Sequence, residues 1–363
     1  MSVNVFTPIT LRGREIRNRL WLPSLCQYSV TARDGIPTDW QLVHLGSIAR
    51  GGAGLVLTEA TAVTPDGRIT DHDTGIWSDA HADAWRRTVD FVHEQGAVIG
   101  MQLAHAGRKA SSWRDWPGGP TGTQPLSDGG WQTVAPSAIA FGHYAPPREL
   151  TVEEIHALIQ AFIDGAKRAL SAGVDLVEIH AAHGYLLHEF LSPLSNTRTD
   201  EWGGSLENRS RILRSIVRGV RALSDTPIFV RFSASDWVDG GWDVAQTAQV
   251  AQWLHEDGAD FFDISSAGLV HDAKIAVGPN YQLPFAAEIH GDTGLDVSAV
   301  GLITTVEQAN AIVQSGQAQA VMLGRAMMRD PHFVLRAAHH LGVDLPYWPR
   351  QYYRAKLTPG ADW

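Results

Sequence analysis

The sequence of 363 residues contains only one cysteine, Cys26. A single thiol forms no internal disulfide and cannot supply an all-cysteine iron–sulfur site. The chain also lacks any apolar stretch close to the ~18 residues that span a membrane. Its basic residues form no run and its formal net charge is −10, which makes nucleic acid and membrane surfaces poor partners.

The first residues also lack the basic start and the apolar core of a signal peptide. Hydrophobic residues make up 44% of the chain and charged residues 19%, which is typical of a compact protein with a large core. We therefore expect a cytoplasmic enzyme. The length alone favours two domains, but a single α/β barrel often exceeds about 250 residues.

A unit recurs along the chain in which a helical pattern ends at a glycine and a short apolar run follows. Runs without polar alternation are typical of strands buried on both faces of a parallel sheet. The strand candidates are residues 19–22, 55–57, 98–101, 176–179, 228–232, 261–264, 296–300 and 320–323. Their number predicts a (β/α)8 TIM barrel, formed by a single domain over residues 1–363. A doubly wound sheet is the alternative, although no Gly-x-Gly-x-x-Gly follows the first strand.

Several helices and two irregular regions are also legible. Thr151 to Glu154 has the capping-box pattern of a helix start, and further helices are predicted from Asn208 to Leu223 and from Pro331 to Leu341. Residues 107–150 hold no regular unit and contain three tryptophans, so we expect them to cap the barrel mouth. The tail, residues 346–363, has the aromatic and arginine content of a subunit interface, and packing on its own barrel is equally consistent with this composition.

In such a barrel the chemistry lies where strands end and loops begin. The fourth apolar run stops at His180, and His183 and Tyr185 follow it, so three groups able to donate a proton or a hydrogen bond gather there. Polar or small residues at the other strand ends are Cys26, Tyr28, Glu59, Ala60, Gln102, His105, Ser265, Ser266, Gly301, Gly324 and Arg325.

Arg231 is informative because it lies inside the fifth apolar run. A guanidinium is costly to bury unless an acceptor meets it, so its partner is either a structural carboxylate or an electron-rich or anionic cofactor. Gly301 and the pair Gly324-Arg325 end the last two strands. Loops at these positions often bind a phosphate through backbone N–H groups and an arginine.

The two histidines alone leave other functions open. They fit satisfied core histidines, polar loop residues, or a metal pair with Glu59 or Asp263 as a third ligand, as in a metal-dependent barrel hydrolase. A barrel that binds a ligand without turnover is a further alternative. A Schiff-base enzyme needs a lysine at a strand end, and none is placed there among Lys109, Lys167, Lys274 and Lys356.

Longer motifs surround these residues. They are His180-Ala181-Ala182-His183-Gly184-Tyr185-Leu186 and the segments 191–196, 198–209, 102–109, 135–139 and 231–236. Together they resemble the old yellow enzyme family of flavin-dependent ene-reductases, from about residue 4 to residue 354. Cys26, Tyr28 and the segment 351–354 resemble its bacterial, thermophilic-like branch. Residues 21–25 depart from the commoner family pattern, and the loop at 112–134 is longer than in the shorter members.

The resemblance implies a barrel that holds non-covalent FMN, is reduced by NADPH or NADH, contains no metal and reduces activated alkenes. It implies that His180 and His183 bind the substrate's carbonyl or nitro oxygen, that Tyr185 delivers a proton and that Cys26 tunes the flavin potential. The other implied cofactor contacts are Pro23, Ser24, Ala60, Gln102, Arg231, Gly301, Gly324 and Arg325. Tyr28 and Ile69 would shape the substrate pocket, and Arg354 would enter it from a neighbouring subunit of a homodimer or homotetramer.

Overall fold

A closed barrel of eight parallel strands forms the centre of the protein in the computed structural model, which describes residues 3–356. Each strand pairs with its neighbours in chain order. A bridge between Leu22 and Val56 joins the first strand to the second and closes the barrel. The strands are β1 (Leu20–Trp21), β2 (Leu55–Leu57), β3 (Val98–Ala104), β4 (Leu176–Ala181), β5 (Ile228–Ser233), β6 (Phe261–Ser265), β7 (Val297–Ala299) and β8 (Ala320–Met322). The predicted (β/α)8 barrel is thereby confirmed, strand for strand.

Helices surround this barrel. Within residues 3–356 they are α1 (Asp39–Arg50), α2 (Asp79–Glu94), α3 (Val152–Ser171), α4 (Leu186–Leu191), α5 (Leu206–Arg221), α6 (Val244–Asp257), α7 (Leu283–Thr293), α8 (Val306–Gln314), α9 (Gly324–Arg329) and α10 (Phe333–His340). The predicted capping box begins α3, because the Thr151 hydroxyl accepts from Glu154 N and the Glu154 carboxylate accepts from Thr151 N. The short helices α4 and α9 are additions that directly follow β4 and β8, at the end of the barrel where strands stop. No helix among the described residues is long and apolar enough to cross a membrane.

An aromatic cluster fills the barrel near the beginning of its strands. The rings of Phe229 and Phe261 stack with centroids 4.7 Å apart, and Trp21 lies 5.2 Å from Phe261. All three side chains are fully buried, and burying each stabilises the fold by about 2–3 kcal/mol. The antiparallel hairpin of Ile9–Leu11 and Arg14–Ile16 packs against this cluster and closes that end. Among the described residues 3–356, the open end of the barrel is therefore the one where strands stop.

The loop formed by residues 107–150 contains little regular structure. It includes the 3-10 turns Gly107–Lys109 and Leu126–Asp128, and Val134–Ala135 pairs with Arg148–Glu149. Trp131 donates its indole N–H to Asp66 O at 2.8 Å and packs on the apolar cluster beside β3. The three tryptophans of this loop differ in burial, because Trp131 packs on that cluster whereas Trp116 is 48% exposed.

The described part of the tail packs on its own barrel at the end where strands begin. Tyr347 accepts a hydrogen bond from Asn18 Nδ2 at 3.1 Å, and the guanidinium of Arg17 lies 4.3 Å from the centroid of its ring. A 3-10 helix, Arg350–Ala355, follows, and Tyr353 is 70% exposed there. Residues 357–363 of the predicted tail lie outside the described part of the chain.

Candidate active site at the carboxyl ends of the strands

The three donors predicted from the fourth strand lie together. His180 belongs to β4, and the chain then turns sharply through left-handed backbone at His183 (φ 60°) and Gly184 (φ 72°). The turn brings the His180 ring within 5.3 Å of His183 and 5.2 Å of Tyr185, measured between centroids. Position 184 requires glycine, since a Cβ there would lie 2.1 Å from Gly268 O. The structure therefore brings His180, His183 and Tyr185 together, as predicted.

Burial sets the protonation of these groups. It lowers the pKa of His180 and of His183 well below the ordinary value, and the nearby Arg231 cation lowers both further. Burial likewise raises the pKa of Tyr185 well above its ordinary value, followed by the influence of Cys26. The site thus presents two neutral imidazoles and a neutral phenol at ordinary pH.

The two imidazoles differ in their partners. The Nδ1 atom of His180 is buried and has no hydrogen-bond partner within the protein. The Nε2 atom of His183 lies 2.8 Å from Ser265 Oγ, and His183 N donates to Ser233 Oγ at 2.9 Å. A buried polar atom without a partner is costly, so His180 Nδ1 is suited to meeting a ligand atom.

A polar layer crosses the barrel just beneath these residues. Ser24 Oγ donates to Gln102 Oε1 at 2.8 Å, and Gln102 Nε2 donates to Glu178 Oε1 at 2.6 Å. Burial, followed by the proximity of Asp263, raises the pKa of Glu178 to about 8. Gln102 is thereby held with its amide fixed between the segment after β1 and strand β4.

Arg231 has a carboxylate partner in this layer. Its Nε lies 2.8 Å from Asp263 Oδ2, and Ser298 Oγ donates to the other oxygen of Asp263 at 2.8 Å. Arg231 also donates to Ser24 O at 3.3 Å and lines the main cavity of the site. The two interpretations of Arg231 are therefore compatible: a structural carboxylate holds the guanidinium while its far side faces the cavity.

A cavity of about 240 Å³ connects this layer with the loops after β7 and β8. Its lining includes Pro23, Leu25, Arg231, Tyr281, Gln282, Val300, Gly301, Gly324, Arg325 and Arg329. Gly301 has φ 118°, a conformation that favours glycine, and a Cβ at Gly324 would lie 3.3 Å from Leu25. Two arginines near glycine backbone suit a phosphate. The Arg231 guanidinium, which like Gln102 hydrogen-bonds Ser24, suits the polar edge of a flat ring. The residues present therefore fit FMN.

A second, small pocket adjoins Tyr185. Its lining includes Ala60, Ile69, Asp73, Ala104 and Ala106. The same apolar residues form a buried cluster against which Cys26, Tyr28, Trp131 and Tyr185 pack. Burial, then the charges of Asp73 and Glu59, raises the pKa of Cys26 above its ordinary value, so the side chain is a neutral thiol. Burial also raises the pKa of Tyr28, whose backbone is left-handed at φ 53°.

One predicted site residue is not brought to this site by its own chain. Arg354 lies in the exposed 3-10 helix of the tail, and the preceding tail residues share a surface groove with Gly96, which comes just before β3. That is the end of the barrel opposite His180.

Lys109 is a residue of this site that the sequence analysis considered only as a Schiff-base lysine. It follows β3 on a 3-10 turn, and its Nζ donates to His183 O at 2.8 Å and to Gly268 O at 3.0 Å. The same Nζ lies 4.9 Å from the centroid of the Tyr185 ring, and burial lowers the pKa of Lys109 to about 8. The lysine is not at a strand end, but its long side chain reaches back to one. Within residues 3–356, no group of three His, Cys, Asp or Glu residues could hold a metal ion.

Known proteins resemble this chain over nearly its whole length. Residues 4–344 match the model of the NADH:flavin oxidoreductase / NADH oxidase family. The NADPH dehydrogenase of Bacillus subtilis strain 168 is 46% identical over 355 residues, which cover 98% of this chain and 99% of that protein.

Solved structures agree. The old yellow enzyme homologue from Zymomonas mobilis has a TM-score of 0.75 and 28% identity, with 98% of each chain covered. A 2-naphthoyl-CoA reductase has a TM-score of 0.82 and 26% identity over 91% of this chain, which spans only 51% of that longer protein. The chain therefore belongs to the NADH:flavin oxidoreductase / NADH oxidase family, that of the old yellow enzymes, and is an FMN-dependent NADPH oxidoreductase.

Proposed function

We propose that this enzyme reduces the C=C bond of α,β-unsaturated carbonyl or nitro compounds. The observation that carries the proposal is the unpartnered Nδ1 of the buried His180, beside a second neutral imidazole and a neutral phenol. These three side chains together suit a substrate that has one strongly polarised oxygen and a nearby carbon that must gain a proton. Simple hydrolysis would not require a phenol at this position.

The imidazoles stabilise charge in this mechanism. When bound, FMN supplies a hydride to the β-carbon of the alkene. Negative charge then builds on the carbonyl or nitro oxygen, and His180 and His183 donate hydrogen bonds to it. One such oriented donor is typically worth about 3–4 kcal/mol of barrier. Burial and then the charge of Arg231 keep both imidazoles neutral, and the positive field of Arg231 favours the developing anion.

Tyr185 completes the reduction by giving its phenolic proton to the α-carbon. A neutral phenol is a competent acid for an enolate-like carbon, and burial keeps Tyr185 in that form. The phenolate left behind is stabilised by Lys109, whose ammonium lies 4.9 Å from the ring centroid. Lys109 also fixes the turn that carries Tyr185, through its bond to His183 O.

The remaining predicted residues have supporting roles in this proposal. Gln102 and Arg231 bind the polar edge of the cofactor ring, Cys26 tunes its potential as a neutral thiol, and Tyr28 and Ile69 shape the pocket for the alkene. Pro23, Ser24 and Ala60 line the ring, and Gly301, Gly324 and Arg325 hold the ribityl phosphate.

The proposal extends to assembly and location. We place the enzyme in the cytoplasm as a single-domain chain whose 107–150 loop covers the mouth, supported by the packing of Trp131 on the pocket wall. A homodimer or homotetramer is supported by the exposed aromatic and arginine side chains of the tail. Arg354 lies far from His180 in its own chain, so it reaches a substrate pocket only in a neighbouring subunit.

The experiment that tests the proposed function separates the two half-reactions. Tyr185→Phe should slow alkene reduction by the reduced enzyme at least tenfold, since general acid catalysis contributes about 10²–10⁴-fold, while flavin reduction by NADPH keeps its rate. His180→Ala should weaken binding of a phenolic ligand such as p-hydroxybenzaldehyde. Equal losses in both half-reactions for Tyr185→Phe, or unchanged phenol affinity for His180→Ala, would refute these roles.

A further inference from the structure

The turn that carries Tyr185 is held from inside the protein by a histidine that does not face the cavity. Gly184 N donates to His188 Nδ1 at 2.9 Å, and Glu189 N donates to Tyr185 O at 2.8 Å. His188 lies on α4, directly after Tyr185, and is fully buried. The imidazole therefore anchors the left-handed residue that sets the direction in which Tyr185 leaves β4.

The bond to Gly184 fixes the tautomer of His188. A ring nitrogen that accepts a hydrogen bond carries no proton, so the neutral imidazole must carry its proton on Nε2. That atom lies 3.0 Å from Asp236 Oδ1, and neither side chain is exposed. A protonated ring would also carry a hydrogen on Nδ1, which would point at the N–H of Gly184. The hydrogen bond from Gly184 N therefore requires the neutral ring of His188.

Asp236 is itself held firmly in the loop after β5. Its Oδ2 accepts from Ser192 Oγ at 2.7 Å and from Trp242 N at 2.8 Å. Burial alone would raise the pKa of Asp236, but the hydrogen bond from His188 and those from Ser192 Oγ and Trp242 N lower it below the ordinary value. The carboxylate is thus ionised and oriented before any ligand binds.

We propose that His188 and Asp236 form a positioning pair that holds the Tyr185 phenol in line for proton delivery. The inference rests on the proposed role of Tyr185 as proton donor. The chain of contacts runs from Asp236 through both nitrogens of His188 to Gly184 N, and so fixes the backbone of the catalytic turn. Errors of about 1 Å in the position of a reacting group can cost about 100-fold in rate, which makes such an anchor consequential.

Two substitutions of His188 separate its contacts. In His188→Asn the amide oxygen takes the place of Nδ1 and accepts from Gly184 N, but the side chain is too short to reach Asp236. In His188→Leu both contacts are lost. In single-turnover measurements with FMN-loaded enzyme, alkene reduction should slow by roughly tenfold or more in His188→Leu and less in His188→Asn. Flavin reduction by NADPH should change less than twofold in both.

The matched control is His81→Asn. His81 is also buried, and its two ring nitrogens contact Ser78 Oγ and Asp34 O near the start of α2. This substitution should lower the thermal unfolding temperature as His188→Asn does, without changing the ratio of the two half-reaction rates. If His81→Asn and His188→Asn change the ratio of the two half-reaction rates equally, the loss of any buried histidine explains the result. That outcome would overturn the proposal.

A double substitution supplies the decisive comparison. If His188 acts through Tyr185, adding His188→Asn to Tyr185→Phe should slow alkene reduction no further. Multiplicative losses in the double variant overturn the positioning role. If Tyr185→Phe alone leaves alkene reduction unchanged, the proton-donor role itself fails. If Tyr185→Phe slows it but both His188 variants react normally, only the positioning pair is rejected.

Discussion

The Nε2 atom of His183, in the turn after β4, lies 2.8 Å from Ser265 Oγ at the end of β6. The same hydroxyl lies 3.3 Å from Gln282 Oε1, which Ser266 Oγ approaches more closely at 2.7 Å. A serine hydroxyl has one proton to give, so the partners of Ser265 decide which nitrogen of His183 is protonated. The donor function of His183 therefore depends on a residue that need not touch the substrate.

Ser265→Ala should weaken the binding of p-hydroxybenzaldehyde by roughly fivefold, since one hydrogen bond of this kind is worth about 1 kcal/mol. The measurement is a titration of the flavin absorption band with the phenol. Ser266→Ala is the control, because it removes a donor to Gln282 and leaves His183 its partner. If Ser265→Ala binds the phenol as tightly as the wild type, Ser265 does not orient His183.

Sequence predicted the barrel and the ends of its strands because buried parallel strands are continuous apolar runs, and polar residues follow where such runs stop. His180 and Gln102 were predicted in this way, and Arg231 because it interrupts such a run. The approach of distant elements leaves no such local pattern. Asp263 meets Arg231 because β5 and β6 pair with these two residues in register. The contacts of Gln282 with Ser265 and of Asp236 with His188 depend on how segments distant in sequence meet after the strands.

Lys109 was missed for a related reason. Lys109 follows the end of β3 by several residues, and the sequence does not reveal which atoms its long, flexible side chain reaches. Its Nζ meets His183 O only because two left-handed residues turn the loop after β4 toward it.

Removing the guanidinium of Arg231 should lower the reduction potential of the bound flavin. A charged hydrogen bond is worth about 1.5–3 kcal/mol, and about 1.4 kcal/mol corresponds to 30 mV for a two-electron couple, so Arg231→Met should lower the midpoint by tens of millivolts. The measurement is a spectroscopic redox titration. Arg17→Met is the control, because Arg17 binds backbone carbonyls at the opposite end of the barrel; an equal shift in both variants would contradict a direct effect.

Arg325 should distinguish cofactors with and without a phosphate. It lines the cavity at the loop after β8, next to Gly324, and a guanidinium bound to a phosphate is a strong, charge-assisted contact. Arg325→Ala should therefore weaken FMN binding about tenfold or more while riboflavin, which lacks the phosphate, binds as before. Fluorescence titration of the apoenzyme with each flavin measures both. Parallel losses for the two flavins would place Arg325 away from the phosphate.

Glu189 should make the stability of the fold depend on pH. Burial raises its pKa to about 8, against the opposing influence of Arg108 and Lys109, from an ordinary value of 4.5. Below pH 4.5 the Glu189 carboxyl is protonated in both the folded and the unfolded chain, so its contribution to the free energy of unfolding is fully present. Between pH 4.5 and about 8 the unfolded chain releases the proton while the folded protein retains it, so stability falls as pH rises.

Each pH unit in that window costs at most about 1.4 kcal/mol, and Glu189→Gln removes this loss. The variant keeps an oxygen to accept from Arg108 N, which Glu189 Oε1 accepts at 2.9 Å. Urea unfolding of FMN-saturated enzyme at pH 5.5 and pH 8.5 should therefore show a smaller decrease in unfolding free energy for Glu189→Gln than for the wild type. Glu153→Gln, an exposed change on α3, should leave the decrease as it is. Equal decreases in all three proteins would mean that Glu189 is ionised in the folded state at neutral pH, held so by Arg108 and Lys109.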